Sequence, residues 1–247
     1  MNADRDPMGR AIADYWNTGS AAQLVVTSTL ADDDVMPVAT LFRDEAQMPP
    51  IERRALELAR GHVLDVGAGA GAHALALQRH GLMVTAIDVS PLAVATMHDR
   101  GIHNVLVQDF FDMEGPKFDT SLMMMNGIGI VGTIKRLPLF FATLDRLLAP
   151  GGQMLFDSSD VSYLYTDDDG TVHLPDDGGY YGEFRFAMHY KRTMGEAFDW
   201  LYIDPSTLGR EAARHGYELQ VVASGDHYDY LGRINRKHNA SPLRAKK

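Results

Sequence analysis

Between His62 and Ser159, short apolar runs alternate with segments whose apolar residues recur at helical spacing. HVLDVG, LMVTAID, NVLVQD, FDTSLMMMN and QMLFDSS read as five strands. Between them AHALALQRHG, LAVATMHDRG and LPLFFATLDRLLAP read as helices. Gly81 and Gly101 stand where a C-terminal cap needs a left-handed residue, and Ser90-Pro91 is an N-cap followed by a proline in the first turn. Alternation of this kind folds into an α/β domain, a mostly parallel sheet with helices on both faces.

The flanks follow other patterns. Residues 1–60 read as a mainly helical segment packing on the core: IERRALELAR places Ile51, Ala55, Leu58 and Ala59 on one face, entered through Met48-Pro49-Pro50. The DDD run at 32–34 reads as a solvated loop. After Ser159 an acidic, glycine-containing stretch leads into EFRFAMHYKR, where Phe184, Phe186, Met188 and Tyr190 alternate with polar residues. With a turn at Met194-Gly195 and FDWLYID beyond it, residues of about 180–204 read as an inserted β-hairpin. PSTLGREAARHG then gives a helix, and YELQVVAS and HYDYLGRI give two strands joined at Gly225-Asp226. The domain so defined spans 61–234, and 235–247 reads as a loose basic tail.

Composition narrows the chemistry. The 247 residues are 45% hydrophobic, enough for a sizeable core. Acids outnumber bases by 33 to 23, and the net charge of −10 argues against nucleic acid, whose phosphates call for a basic face. The absence of cysteine excludes disulfides, thiolate nucleophiles and thiolate metal sites, and the ten histidines form no ligand-spaced cluster, so no metal site is expected. The opening MNADRDPMGRAIADYW is unlike a signal peptide and no apolar run is long enough to span a membrane, so a cytoplasmic protein is expected.

The chemistry concentrates in Leu64-Asp65-Val66-Gly67-Ala68-Gly69-Ala70-Gly71, a strand that runs into a glycine turn and then a helix. Gly67 and Gly69 let the backbone approach a ligand, and the helix start offers unpaired N–H groups. Asp88, ending the next strand, can accept ribose hydroxyls. Gly67, Gly69 and Ala72 also satisfy a dinucleotide fingerprint. Asp65 distinguishes the two, because an acid beside the turn suits a cationic ligand and not a pyrophosphate. No Tyr-x-x-x-Lys pair of the short-chain dehydrogenase type is present.

These stretches resemble the class I S-adenosylmethionine-dependent methyltransferases. VLDVGAGAG is similar to the family's first motif, VTAIDVSP to its second, VQDFF to its third, and LLAPGGQMLF to the turn before its fifth strand. FDTSLMMMNGIG stands where the fourth motif lies. The resemblance implies a Rossmann-like fold with a seven-stranded sheet, and S-adenosylmethionine as cofactor. It implies that Asp65, Gly67, Ala68 and Gly69 wrap the methionine part and that Asp88 and Val89 hold ribose and adenine. Gln108, Asp109 and Phe110 border the adenine, and Met125, Asn126 and Gly127 close the site. Arg43 is a candidate partner for the cofactor carboxylate.

The departures also inform. Asn126 begins Asn-Gly-Ile-Gly, unlike the Pro-Pro motif of enzymes that methylate amino groups of bases or glutamine, and the C5-pyrimidine mechanism lacks its cysteine. No residue stands out as a general base, so no catalytic residue is assigned. The reading is methyl transfer to a small molecule by in-line displacement, with the hairpin as substrate-side wall or homodimer surface. The alternatives are a non-catalytic S-adenosylmethionine-binding or interaction protein and a nucleotide-dependent oxidoreductase.

Overall fold

The computed structural model describes residues 3–28, 33–167, 169–175 and 178–237. In chain order these form α1 (Pro7–Thr18), β1 (Leu24–Ser28), β2 (Asp34–Met36), α2 (Pro50–Leu58), β3 (His62–Val66), α3 (Ala72–Arg79), β4 (Met83–Asp88), α4 (Pro91–Asp99) and β5 (Val105–Val107). The second half adds β6 (Phe118–Met123), α5 (Leu137–Leu147), β7 (Leu148–Ser159), β8 (Glu183–Tyr190), β9 (Thr193–Met194), β10 (Phe198–Leu201), α6 (Pro205–Arg214), β11 (Tyr217–Ser224) and β12 (Asp229–Arg236).

Seven strands make the main sheet, in the order β11-β12-β7-β6-β3-β4-β5. The five from β7 to β5 run parallel, and β12 lies antiparallel between β11 and β7. Because side chains alternate across a strand, each face carries its own core. Leu64 and Val66 of β3 face a cluster built with Phe140, Phe141 and Leu144 of α5 and Leu208 of α6. Val63 of the same strand faces the other way, among Ile51, Ala55 and Leu56 of α2, Leu77 of α3 and Met97 of α4. The buried face of α2 is thus centred on Leu56, with Leu58 and Ala59 only half-buried at its margin.

Helix ends follow local chemistry. The Ser90 side chain accepts the Ala93 N–H and Asp204 accepts that of Thr207, each followed by a proline in the first turn. Asp6 caps α1 through the Gly9 N–H and also accepts a 2.5 Å hydrogen bond from the Ser90 hydroxyl. Two N-caps are therefore tied together, which lays α1 across α4, with Ile12 packed on Ala70 and Ala93.

Three expectations are corrected here. The N-terminal segment contributes strands as well as helices, since LVVTS and DVM form β1 and β2; Asp34 belongs to β2, and Asp32 lies outside the described residues. The stretch at 183–204 is no free-standing hairpin. β8 pairs with β10 on one edge and with β1 on the other, giving a five-stranded second sheet in the order β10-β8-β1-β2 with β9 folded back on β8. Its tight turn falls at Lys191-Arg192, where Lys191 has a φ of 53°, and not at Met194-Gly195. Of the tail, Asn235 and Arg236 belong to β12, and residues 238–247 lie outside the described residues.

Candidate cofactor site

The carboxyl ends of β3, β4, β5 and β6 bring the sequence-selected residues to one rim of the main sheet. The turn after β3 is held by two short links: the Ala68 N–H donates to the Ile87 carbonyl at 3.0 Å, and the Gly71 N–H to that of Ala68 at 2.7 Å. Gly67 and Gly69 have φ of 66° and 56°, a region that costs other residues energy. A Cβ placed on Gly67 would meet nothing within 4 Å, so this glycine borders open space.

Asp88 is tied to that turn. Its Oδ2 accepts the Gly69 N–H at 3.0 Å and its Oδ1 accepts the Ser90 N–H at 2.8 Å. Each carboxylate oxygen has a second acceptor direction left for a hydroxyl. Burial raises the Asp88 pKa, and the N–H groups of Ser90 and Gly69 work against that rise. Val89 beside it is exposed, and Asp109 is fixed by the Phe111 N–H at 2.8 Å. The Gln108 N–H bonds the Asp88 carbonyl at 3.0 Å, joining the β4 and β5 ends. Phe110 is the exception among these residues. Its ring is buried against Phe111 and Phe140, so only its main chain is left to border a ligand.

Met125 and Asn126, with φ of 64° and 56°, are two consecutive non-glycine residues in the left-handed region. Such a turn persists only when its surroundings hold it. Asp157 at the end of β7 accepts the Asn126 N–H at 2.9 Å, and the Ser159 hydroxyl donates to Asn126 Oδ1 at 3.1 Å. Gly127 then opens a 3-10 turn, Gly127–Val131, whose Gly129 lies flat against Trp200 of β10. A Cβ at Gly129 would stand 2.1 Å from that indole, so the second sheet is docked on this turn.

Sequence reading named Asp65 and Arg43 but missed Glu52, His73 and Asp157, the buried charges around them. Glu52, on the core-facing side of α2, pairs with Arg43 through one oxygen and with His73 Nε2 of α3 at 2.8 Å through the other. All three side chains are close to fully buried. Asp65 faces the same group from β3; its Oδ2 and the Arg43 Nε are both buried without a hydrogen-bond partner. Burial pushes Asp65 up to about 6, against the opposing influence of His73. It pushes Asp157 up to about 7, against the Asn126 N–H. The one sequence signal was an acid next to Ile51 on the packed face of a helix.

An open glycine turn with a carboxylate at the end of the next strand, above a buried Asp65 and Arg43 that each keep one atom without a hydrogen-bond partner, suits a ligand with hydroxyls and charged groups. The comparisons agree. A family model described as "Methyltransferase domain" matches residues 63–152. A SAM-dependent methyltransferase from Bacteroides fragilis, solved in complex with S-adenosyl-L-homocysteine, is 48% identical, with 96% of this chain and 97% of that one covered and a TM-score of 0.90. The CcbJ methyltransferase from Streptomyces caelestis shares the fold at 16% identity and a TM-score of 0.62, over 93% of this chain and 98% of that one. The PH0226 protein from Pyrococcus horikoshii OT3 does so at 17% and 0.57, over 76% and 88%. No curated protein sequence matches. The chain belongs to the S-adenosylmethionine-dependent methyltransferases, with the Rossmann-like fold and the cofactor of that family.

Proposed function

We propose that the protein transfers a methyl group from S-adenosylmethionine to a small-molecule acceptor, and that the acceptor enters between the Met125–Gly127 turn and the second sheet. The cofactor supplies a methyl group already activated on a sulfonium, so the chain's residues need only position the two reactants and exclude water. The observation that supports the reading is the docking of Trp200 on Gly129, which sets a strand of the second sheet against the turn Gly127–Val131. An acidic surface supports a small molecule over nucleic acid. Among the described residues no helix is long and apolar enough to cross a membrane.

In this reading Asp65, Gly67, Ala68 and Gly69 hold the methionine part, Asp88 and Val89 the ribose side, and Gln108, Asp109 and the Phe110 main chain the adenine. Met125, Asn126 and Gly127 close the site. A homodimer would form through the inserted segment, whose strands β8, β9 and β10 make up part of the second sheet.

Labelled cofactor incubated with a small-molecule extract, a protein extract and RNA separates the acceptor classes. Label is expected to pass to the first alone; transfer to protein or RNA overturns the acceptor class, and no transfer from a cofactor that binds points to a non-catalytic binder. Asp88→Ala is expected to weaken S-adenosylhomocysteine affinity about ten-fold or more by calorimetry, since a hydrogen bond to a charged group contributes about 1.5–3 kcal/mol. An unchanged dissociation constant in a folded variant would remove Asp88 from the site.

A further inference from the structure

Beneath the glycine turn, three buried carboxylates face two cations. Glu52 comes from α2, Asp65 from β3 and Asp157 from β7, while Arg43 precedes α2 and His73 opens α3. On β3 and β7 the two aspartates project to the same face of the sheet as Val63 and Leu155, the face covered by α2 and α3. Glu52 is fully committed, to Arg43 with one oxygen and to His73 with the other. The remaining two carboxylates have no cation of their own. Asp65 has a buried oxygen with no partner, and Asp157 has the Asn126 N–H. With all five groups ionised the cluster carries one excess negative charge in a buried setting, which is costly unless a cation arrives or a proton stays.

S-adenosylmethionine carries one net positive charge, because its ammonium and carboxylate cancel and its sulfonium remains. S-adenosylhomocysteine, lacking the sulfonium charge, carries none. We propose that this cluster holds a proton on Asp65 or Asp157 when the site is empty and releases it when S-adenosylmethionine enters, so that the cationic substrate form is favoured over the neutral product. The step is simple in its balance. A carboxyl O–H bond breaks, the proton passes to the buffer, and the carboxylate left behind faces the cofactor's positive charge. Transfer of the methyl group removes that charge, and the cluster recovers a proton as the product leaves. This deepens the cofactor assignment and rests on the placement of the methionine part over Asp65.

The surroundings of each titrating group set the pH range. Asp65 faces His73 and the Ala74 N–H from α3 and Asp88 from β4; burial dominates and raises it to about 6. Asp157 faces the Asn126 N–H, Glu52 and His73, and lies close enough to affect the phenols of Tyr202 and Tyr230; burial again dominates and raises it to about 7. His73 faces Glu52, Asp65 and Arg43, and its two acidic neighbours outweigh the burial that would lower it. Both carboxylates whose protons are at issue therefore titrate close to neutrality.

The test is calorimetry of S-adenosylmethionine and S-adenosylhomocysteine binding in buffers of low and high ionisation enthalpy, matched in pH. At about pH 6.5, where both ligands keep their ammonium groups, roughly half a proton or more should leave per S-adenosylmethionine bound; at about pH 8.5, where those ammonium groups titrate equally in both ligands, the difference in proton count between the two should fall close to none. The ratio of S-adenosylmethionine to S-adenosylhomocysteine affinity, in which the shared ammonium cancels, should rise roughly three- to ten-fold between these values. Asp65→Asn combined with Asp157→Asn should abolish the release. His73→Gln, which removes a charge that lowers both aspartates, should move the release to higher pH, an effect that a merely structural role for His73 would not produce. Equal heats in both buffers at about pH 6.5, or equal proton counts for the two ligands there, would overturn the proposal while leaving the cofactor assignment intact. Failure of either ligand to bind would overturn the assignment itself.

Discussion

Alanine at Gly71 should destabilise the protein by about 3 kcal/mol, whereas alanine at Gly67 should leave it folded and cost at least ten-fold in cofactor affinity. Both glycines lie in one turn and both have positive φ, 82° and 66°. The left-handed region therefore costs either alanine about 1–2 kcal/mol. What differs is the space around each. A Cβ at Gly71 would stand 2.1 Å from Ile102 Cδ1 and 3.0 Å from Met97 Cγ, and both side chains are buried. Forcing a methyl group into that contact adds an overpacking cost on top of the strain. At Gly67 nothing lies within 4 Å, so the added methyl clashes with no protein atom and projects where a ligand must come close to the backbone. Urea denaturation and S-adenosylhomocysteine calorimetry on the two variants separate these effects. Full affinity in Gly67→Ala would place the ligand away from this turn.

The parts of the fold legible in the sequence are those set by neighbours in the chain. Ser90-Pro91 and the glycines at 81 and 101 mark helix ends through contacts within a few residues, and the five apolar runs of the main sheet are each continuous. The glycine turn after β3 is legible for the same reason, since Asp65, Gly67 and Gly69 lie within five residues of one another. β1 was not legible. LVVTS is too short to separate strand from helix by period, and its partners lie about 160 residues away, with Val26 opposite Met188. Nothing local announces that pairing, so β8 with β10 looked like a hairpin complete in itself. The buried cluster was hidden similarly: Glu52 meets His73 across 21 residues, and Asp157 sits among residues that look like a polar strand end. Phe110 was placed by motif, but only the packing of α5 shows that its ring turns inward.

Glu52→Gln should lower stability by about 3–5 kcal/mol near pH 6. The reason lies less in what the pair contributes than in what the variant leaves behind. Arg43 and His73 would keep their buried positions and lose the carboxylate that joins them. The pH dependence follows from the two shifts. Burial works to raise Glu52, but His73 and Arg43 more than offset it, so its folded pKa is below 4.5. Its contribution is present above 4.5 and is lost as pH falls through the folded value. Burial works to lower His73, but Glu52 and Asp65 more than offset it, so its folded pKa is above 6.5. That contribution is complete below 6.5 and is lost as pH rises through the folded value. The deficit of the variant should therefore be widest between about pH 5 and 6.5. It should shrink in acid, where wild-type Glu52 is itself protonated. It should also shrink in alkali, where a neutral His73 no longer needs a partner, but without vanishing, because Arg43 stays charged. Urea denaturation of both proteins across about pH 4 to 9 measures this profile, and a deficit constant over that range would show that His73 donates to Glu52 as a neutral imidazole in the folded protein.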